Sequence, residues 1–477
     1  MSIKKDTVSG IAWSFFERIS VQGVHFLIGI LLARLLMPSD FGTVAMVSVF
    51  YTVSKAIINS GFHNALIRKE KRSNEDYCTV FIFNVCMSSL FYVILFFAAP
   101  WVADFFDTPI LCSILRVQSI CLIIDSLGTI QVTRLTIHLN FKGLAKRATI
   151  ASVISGLIGV SMAFLGFGLW ALVAESITSS LLNMLLVWFY SNWRPSLIFS
   201  VKSFKDMFAF GWKLLVTGLI NTIYSNLTPL IIGKFYTKAD LGEYMRGTRF
   251  ARFPCEMFTL SLKRVTYPLL AKLQSDTEKM ISVYRKYVCS MSMCVFFGCT
   301  LLAAVARPFI LFLLTEKWEA SIIYLQIYVF SCMFDHISAI NLNLLKVVGR
   351  SDIFLKLEII KKVISLAILL AAIPFGVVGI CVSKVIFTQI GLVINTYYTG
   401  KLFNLGYIEQ FKDYSGFFMY SVIACLPAYL FTFLHLNHLI SLIFGLLSAP
   451  LLYWLMLRNN PYMKDVLEMV KEKLPRR

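Results

Sequence analysis

The sequence predicts an all-α polytopic membrane protein with about fourteen transmembrane helices. Its 477 residues are 58% hydrophobic and only 15% charged, with a mean hydropathy of +0.73. Too few polar side chains are present to cover the surface of a water-soluble protein of this length. Apolar runs of about 20 residues, the length that crosses a bilayer as a helix, recur along the chain. Gly and Pro lie inside these runs, which do not alternate every second residue as barrel strands do.

The predicted spans follow one another without a long water-soluble segment. Lys4 and Lys5 precede the first span, which lacks the short apolar region and cleavage site of a removable signal peptide. The predicted bounds are 10–36, 41–66, 77–101, 111–138, 147–166, 168–190, 207–233, 240–262, 285–306, 320–345, 355–373, 376–399, 415–434 and 438–457.

The loop charges predict the orientation. Most of the 45 Lys and Arg residues fall in alternate loops and in the C-terminal tail, whereas the opposite loops contain only Lys234, Lys238, Arg307 and Lys317. Because basic residues stay on the cytoplasmic side, both termini are predicted to be cytoplasmic, which requires an even number of spans. Because the basic residues lie in short loops between spans, the net charge of +19 is typical of a membrane protein and does not indicate a nucleic-acid partner.

The sequence contains a long internal repeat. Asp40-Phe41-Gly42 is echoed by Asp240-Leu241-Gly242, and the single acid of the fourth span, Asp125, by Asp335 in the tenth. Each copy covers six spans, so both copies have the same orientation and are related by an axis along the membrane normal. We therefore predict two pseudo-symmetric lobes, 1–200 and 201–402. A C-terminal helix pair with a basic cytoplasmic tail follows in 403–477.

Charged residues inside the spans are the candidate functional residues, because each costs about 2.5–3.5 kcal/mol at the bilayer centre. Arg246, Arg249 and Arg252 recur every three residues in the eighth span. Each step turns about 300° and rises about 4.5 Å, so the three are predicted to wind slowly along one side of the helix. Pro254 follows and is expected to break or bend it.

Two further cations lie inside spans of the first lobe. Lys55 is at mid-depth of the second span, the equivalent of the eighth, and Arg18 is about eight residues from the cytoplasmic start of the first span. If these faces converge between the lobes, they form a cationic, water-filled cavity that binds a large anion, with arginine as a bidentate phosphate ligand. The alternative is that intramembrane acids neutralise several of these cations as structural pairs.

Three intramembrane acids, Asp125, Glu175 and Asp335, are candidates for coupling transport to a proton or sodium gradient; the alternative is a hydrogen bond between packed helices. No cofactor or metal is predicted. The 11 cysteines include no CxxC pair, which argues against a zinc site. No GxxxxGK[ST] motif is present, so the chain is not expected to hydrolyse ATP.

Several segments together resemble the bacterial polysaccharide flippases of the Wzx-like and WzxC-like branch, within the superfamily of multidrug and oligosaccharidyl-lipid exporters. The segments are Ser9–Trp13 (SGIAW), Leu32–Gly42 (LARLLMPSDFG) and Gly61–Arg68 (GFHNALIR). The resemblance implies a two-lobed bundle in the bacterial inner membrane. It further implies alternating-access export of undecaprenyl-diphosphate-linked oligosaccharides, with a polysaccharide polymerase and glycosyltransferases as partners. The diphosphate-binding role is carried over to Arg18, Lys55, Arg246, Arg249 and Arg252.

Three other functions are weighed against this one. A lipid II flippase is also expected to have fourteen spans and a cationic cavity, whereas a drug–cation antiporter is expected to have an acidic one. A membrane polysaccharide polymerase or ligase usually needs a sizeable outer loop, but the longest predicted outer segment, 307–319, has about a dozen residues. The sugar of the substrate is not predicted.

Overall fold

The computed structural model of the protein is built from α-helices. It describes residues 2–59, 61–434 and 436–464; within them the side chains of residues 2–12, 14–19, 256–265, 267, 268 and 351 are not described. This part of the chain contains no β-strand. The helices are α1 (Ser2–Leu35), α2 (Pro38–Asn59), α3 (Phe62–Arg68), α4 (Asn74–Phe105), α5 (Ile110–Gln118), α6 (Ile120–Ile137), α7 (Phe141–Phe164), α8 (Trp170–Tyr190), α9 (Val201–Phe235), α10 (Lys238–Lys272), α11 (Thr277–Ala304), α12 (Ala306–Leu314), α13 (Ala320–Cys332), α14 (Asp335–Val347), α15 (Ser351–Ala371), α16 (Gly376–Phe403), α17 (Tyr407–Phe431) and α18 (His438–Leu457).

Eleven helical segments among the described residues are long and apolar enough to cross a membrane. The protein is therefore an all-helical, multi-pass membrane protein, as the composition predicts. The three remaining predicted spans coincide with α1, α10 and α15. The described part of α1 supplies only a short apolar stretch, Ser20–Leu35, and α10 and α15 are rich in charged residues. The count of fourteen remains a prediction.

Three predicted spans each consist of two consecutive helices. In the fourth, α5 ends where the Ser119 hydroxyl donates to the Leu115 carbonyl four residues earlier, at 2.6 Å. A serine that bonds back to the preceding turn often bends a helix. In the second span, α3 begins after Gly61, whose φ of 72° lies in the left-handed region that glycine adopts readily. The predicted break at Pro254 is wrong as a helix end, because α10 continues through it.

The chain divides into two compact units, Met1–Gly242 and Glu243–Arg477. Helix α9 packs against α2, α3 and α4 and so belongs to unit 1. This division follows contacts between helices, whereas the predicted lobes follow the duplication of the sequence. The bounds 1–200, 201–402 and 403–477 therefore remain a prediction.

In unit 1, α7 packs against both α1 and α8, and small residues make this possible. Ser152, Ser155, Gly156 and Gly159 are buried along one face of α7 at small-xxx-small spacing. A Cβ atom at Gly159 would lie 3.0 Å from the Cβ of Glu175 on α8. Helices in a bilayer associate through such close backbone approaches. Here the approach of α7 to α8 sets the position of α8 within unit 1.

The two copies of the repeated turn have the same local structure and contact each other within unit 1. Asp40 accepts the backbone N–H of Met37 at 3.0 Å, and Asp240 accepts that of Thr237 at 3.1 Å. Gly42 and Gly242 then lie at a close backbone crossing. A Cβ atom at Gly42 would collide with the Lys238 carbonyl oxygen, and one at Gly242 with the Pro38 carbonyl oxygen. Only glycine allows this approach.

A buried hydrogen-bond network joins four helices of unit 2. The Gln410 side chain of α17 accepts from Tyr284 of α11 and from Asn341 of α14, both at 2.9 Å. Its amide donates to Asn341 Oδ1 at 3.0 Å and to the Leu405 carbonyl at 2.8 Å. Thr399 of α16 also donates to Asn341. Buried amides are stable only when so satisfied, and the network fixes α17 against the rest of its unit.

Candidate functional site

Unit 1 contains an open cavity of about 880 Å³, lined by both polar and apolar residues and within the size range of small-molecule sites. Helices α1, α2, α3, α6, α7, α8 and α9 line it. The charged and polar lining residues on which the site depends are His25, Tyr51, Lys55, Asn59, His63, Asn64, Asp125, Thr129, Arg147, Glu175, Ser176, Ser179, Ser180, Asn183 and Thr222.

Lys55 and Asp125 form an ion pair on the cavity wall. The Lys55 ammonium lies 2.5 Å from Asp125 Oδ2, and the Tyr51 hydroxyl donates to the same oxygen at 2.5 Å. Lys55 also donates to the Tyr51 hydroxyl at 3.3 Å. The side chains of Lys55 and Asp125 remain 45% and 22% exposed, so both can still meet a ligand in the cavity. The structure thus brings a predicted phosphate ligand and a predicted ion-coupling acid together.

Glu175, the second predicted ion-coupling acid, lines the same cavity. Its Oε1 lies 4.0 Å from Nδ1 of His25 on α1, and the other ring nitrogen of His25 is 3.4 Å from the Ser152 hydroxyl. When His25 is protonated, this contact is an ion pair. Two carboxylates from different helices, each beside a basic partner, are therefore exposed to one cavity.

Two further parts of the cavity wall are missed by sequence reasoning. Arg147 falls among the cytoplasmic loop charges in the sequence, but it lies in the first turns of α7 and lines the cavity. Ser176, Ser179, Ser180 and Asn183 form a polar face on α8. Their spacing of three, one and three residues places them on one side of a helix, and this signal is visible in the sequence.

The predicted arginine series on α10 lies in unit 2, and its members have different surroundings. Arg246 is only 6% exposed, with its guanidinium 5.3 Å from the centre of the Trp318 ring. Arg252 donates through Nε and Nη2 to the Tyr328 hydroxyl at 2.9 and 2.6 Å. Arg249 is exposed and makes no hydrogen bond or ion pair with another described residue. The side chain of Arg18 lies outside the described residues.

Asp335, the third predicted ion-coupling acid, is exposed at the first residue of α14 in unit 2. Its counterpart Asp125 lies inside α6 instead. The repeat therefore places both acids at matching positions in the sequence but in different helical environments. Among the described residues, no group of three or more His, Cys, Asp or Glu side chains is placed to hold a metal ion.

Comparison with known sequences places these features in context. The profile of the family described as polysaccharide biosynthesis protein matches residues 31–323. The succinoglycan biosynthesis transport protein ExoT of Rhizobium meliloti is 25% identical over 66% of this chain, and the alignment spans 64% of ExoT. The lipopolysaccharide biosynthesis protein WzxC of Escherichia coli is 24% identical over 83% of this chain and 81% of WzxC.

Solved structures share the fold. The lipid II flippase MurJ in an inward closed conformation superposes with a TM-score of 0.75 and 16% identity, covering 94% of this chain and 99% of MurJ. An inward-facing multidrug resistance transporter of the MATE family, from the MOP superfamily, gives a TM-score of 0.59 and 17% identity. That match covers 82% of this chain and 97% of the transporter. Both likenesses concern the fold alone.

Proposed function

The chain belongs to the polysaccharide biosynthesis protein family, and from this membership we propose that it is a lipid-linked oligosaccharide flippase. It moves undecaprenyl-diphosphate-linked repeat units of O-antigen, capsule or exopolysaccharide from the inner to the outer leaflet of the bacterial cytoplasmic membrane by alternating access. Both termini are cytoplasmic in this proposal, and a polysaccharide polymerase and glycosyltransferases act in the same process.

One observation carries the proposal. A chain that matches a polysaccharide biosynthesis family over residues 31–323 folds like a lipid II flippase over 94% of its length. The first property supports a glycan as cargo, and the second supports a lipid-linked form of it. A transporter is also favoured over an enzyme by the names of its relatives, which include a transport protein and a flippase.

The cations of the spans are proposed to bind the diphosphate: Arg18, Lys55, Arg246, Arg249 and Arg252. Of these, Arg249 is best supported, because its side chain is exposed and makes no hydrogen bond or ion pair with another described residue. Arg252 is also exposed, and its two hydrogen bonds to the Tyr328 hydroxyl orient its guanidinium. A guanidinium is well suited to this role because it binds phosphate oxygens in a bidentate manner.

Asp125, Glu175 and Asp335 are proposed to couple export to a proton or sodium gradient. Asp125 and Glu175 support this role best, since both line the cavity of unit 1 beside a basic partner. A carboxylate that gains a proton or a sodium ion no longer holds its partner as tightly. Collapse of the proton or sodium gradient in vesicles is expected to slow export, and an unchanged rate under both conditions would exclude this coupling.

The function is tested by deleting the gene in its host and restoring it on a plasmid. Deletion is expected to abolish surface polysaccharide and to cause lipid-linked repeat units to accumulate, because their synthesis on the cytoplasmic side continues without export. Unchanged surface polysaccharide after deletion would overturn the proposal. Rescue of a strain that lacks its lipid II flippase would instead assign lipid II as the cargo, a possibility that the MurJ-like fold supports.

The phosphate-binding role is tested with Arg249→Glu in the restored gene. Reversal of the charge is expected to lower surface polysaccharide at least tenfold at equal protein level, whereas Arg249→Lys retains part of the activity because it keeps the charge. Arg458→Glu, which changes an exposed cation directly after α18, is the matched control and should have no effect. Full polysaccharide output from Arg249→Glu would show that this arginine does not bind the cargo.

A further inference from the structure

We infer that the cavity of unit 1 binds the uncharged sugars of the cargo, with the polar face of α8 as its main recognition surface. This inference rests on the proposed function and assigns different parts of one substrate to different residues. The sugars contact the neutral hydrogen-bonding side chains of unit 1, and the diphosphate contacts the cations named under the proposed function.

The charge of the cavity wall favours a neutral ligand. Lys55 and Arg147 supply two positive charges, and Asp125 and Glu175 supply two negative charges. Lys55 is moreover in direct contact with Asp125 at 2.5 Å. When the wall histidines His25 and His63 are neutral, these four charges cancel and the described wall has no excess charge to attract anions. A diphosphate that binds Lys55 must compete with Asp125 and is repelled by it. Sugar hydroxyls, which both donate and accept hydrogen bonds, meet no such repulsion.

The face of α8 supplies the matching chemistry. Ser176, Ser179, Ser180 and Asn183 all line the cavity and are all partly exposed. The same helix exposes Leu181, Leu185 and Phe189, and none of these three lines the cavity. Polar side chains in a membrane helix usually face protein or a water-filled space. The separation of polar from apolar positions therefore marks this face as one that contacts water or a polar ligand.

The facing helices add groups of the same kind. Thr129 lies one turn after Asp125 on α6, Asn59 ends α2, Asn64 lies on α3 and Thr222 lies on α9. Hydroxyls, amides and carboxylates thus reach the cavity from five helices. Such groups can form hydrogen bonds with adjacent sugar hydroxyls. A sugar that leaves one of these protein groups without a partner binds the protein more weakly. This wall therefore determines which repeat unit the protein accepts.

The test compares two lipids that differ only in carrying the glycan. Binding of undecaprenyl diphosphate and of the lipid-linked repeat unit extracted from the host is measured with the full-length protein in nanodiscs. Wild-type protein is expected to bind the glycan-bearing lipid at least tenfold more tightly. The triple variant Ser176→Ala, Ser179→Ala, Ser180→Ala should lose this difference and keep its affinity for undecaprenyl diphosphate.

Two controls separate this inference from the proposed function. Leu181→Ala with Leu185→Ala changes the opposite side of α8 and should bind both lipids as wild type does. Arg249→Glu should weaken both lipids together. If the triple variant does not fold, the single variants Ser179→Ala and Asn183→Ala replace it, with at least a threefold loss of the glycan preference expected of one of them.

The outcomes have distinct meanings. Equal affinity of wild-type protein for the two lipids, or α8 variants that weaken both lipids alike, would overturn the glycan site and leave the flippase proposal standing. Failure of wild-type protein to bind either lipid would contradict the flippase proposal itself.

Discussion

Lys55 and Asp125 illustrate what side-chain placement adds at the scale of single residues. The sequence assigns Lys55 to phosphate binding and Asp125 to ion coupling, and the structure joins them in one ion pair with Tyr51. An anion that binds Lys55 must compete with Asp125, and a proton on Asp125 weakens its hold on Lys55. The two predicted roles are therefore linked through a single contact.

The strength of this pair is measurable in a double-mutant cycle. Lys55→Ala, Asp125→Ala and the double variant are compared by thermal unfolding in detergent. We expect a coupling energy of about 0.2–1 kcal/mol, because the 45% exposure of Lys55 lets solvent screen the attraction. Strictly additive effects of the two substitutions would show that the pair contributes nothing to stability.

At the scale of helices, a close glycine crossing joins α2 to α10, and a hydrogen-bond network attaches α17 to its unit. The crossing of α2 and α10 depends on the absence of two Cβ atoms, at Gly42 and Gly242. The attachment of α17 depends on the Gln410 network, in which each buried amide finds partners. The positions of the two glycines are visible in the sequence, whereas the backbone that each one approaches is known only from the structure.

Substitution at the crossing is expected to destabilise the protein. Gly42→Ala or Gly242→Ala places a methyl group against a carbonyl oxygen that cannot rotate away, and overpacking of this kind costs roughly 1–3 kcal/mol. Gly298→Ala in the interior of α11 is the control, since apart from the adjacent backbone of its own helix no described atom lies within 4 Å of the added Cβ. It should leave the unfolding temperature unchanged or raise it. Identical melting of Gly42→Ala and Gly298→Ala would contradict the close approach.

Loss of the Gln410 side chain should be equally damaging for a different reason. Gln410→Leu removes the acceptor of the buried Tyr284 hydroxyl and one hydrogen-bond partner from each end of the Asn341 amide, at a total cost of about 1–3 kcal/mol. The nearby exposed variant Glu409→Gln should change stability by less than about 0.5 kcal/mol. Both are compared by thermal unfolding in detergent, where a wild-type melting curve for Gln410→Leu would refute the structural role of the network.

For the whole molecule, the distribution of basic residues predicts one orientation in the membrane. Leu165 lies in a predicted outer hairpin and Leu197 in a predicted cytoplasmic segment; the two are 75% and 98% exposed. Each position can therefore carry a reporter cysteine without disturbing the packing, in a background where the 11 native cysteines are replaced.

In right-side-out vesicles, a membrane-impermeant maleimide should label Leu165→Cys directly. Leu197→Cys should react only after the vesicles are permeabilised, because the basic segments around it are held on the cytoplasmic side. The opposite pattern would invert the proposed topology and with it the direction of export. As a control, both cysteine variants are also labelled after denaturation, to show that the two cysteines react equally well when fully accessible.

Much of the architecture was accessible from the sequence because it depends on composition and spacing. An all-helical membrane fold follows from apolar runs of bilayer length, and family membership follows from local motifs such as the turn at Asp40-Phe41-Gly42. The hydroxyl and amide spacing on α8 was also present in the sequence. Its function could not be inferred from the sequence, however, because only the structure shows that this side of α8 lines the cavity.

The sequence by itself determined that the chain is helical, crosses the membrane many times and keeps charge inside its spans. Only the tertiary structure decided which of those charges meet: Asp125 lies against Lys55, Arg252 against Tyr328, and Arg147 in a cavity instead of a loop. The reason is physical. Hydropathy and helical period are properties of neighbouring residues, whereas an ion pair between α2 and α6 joins residues 70 positions apart whose distance is set by helix packing.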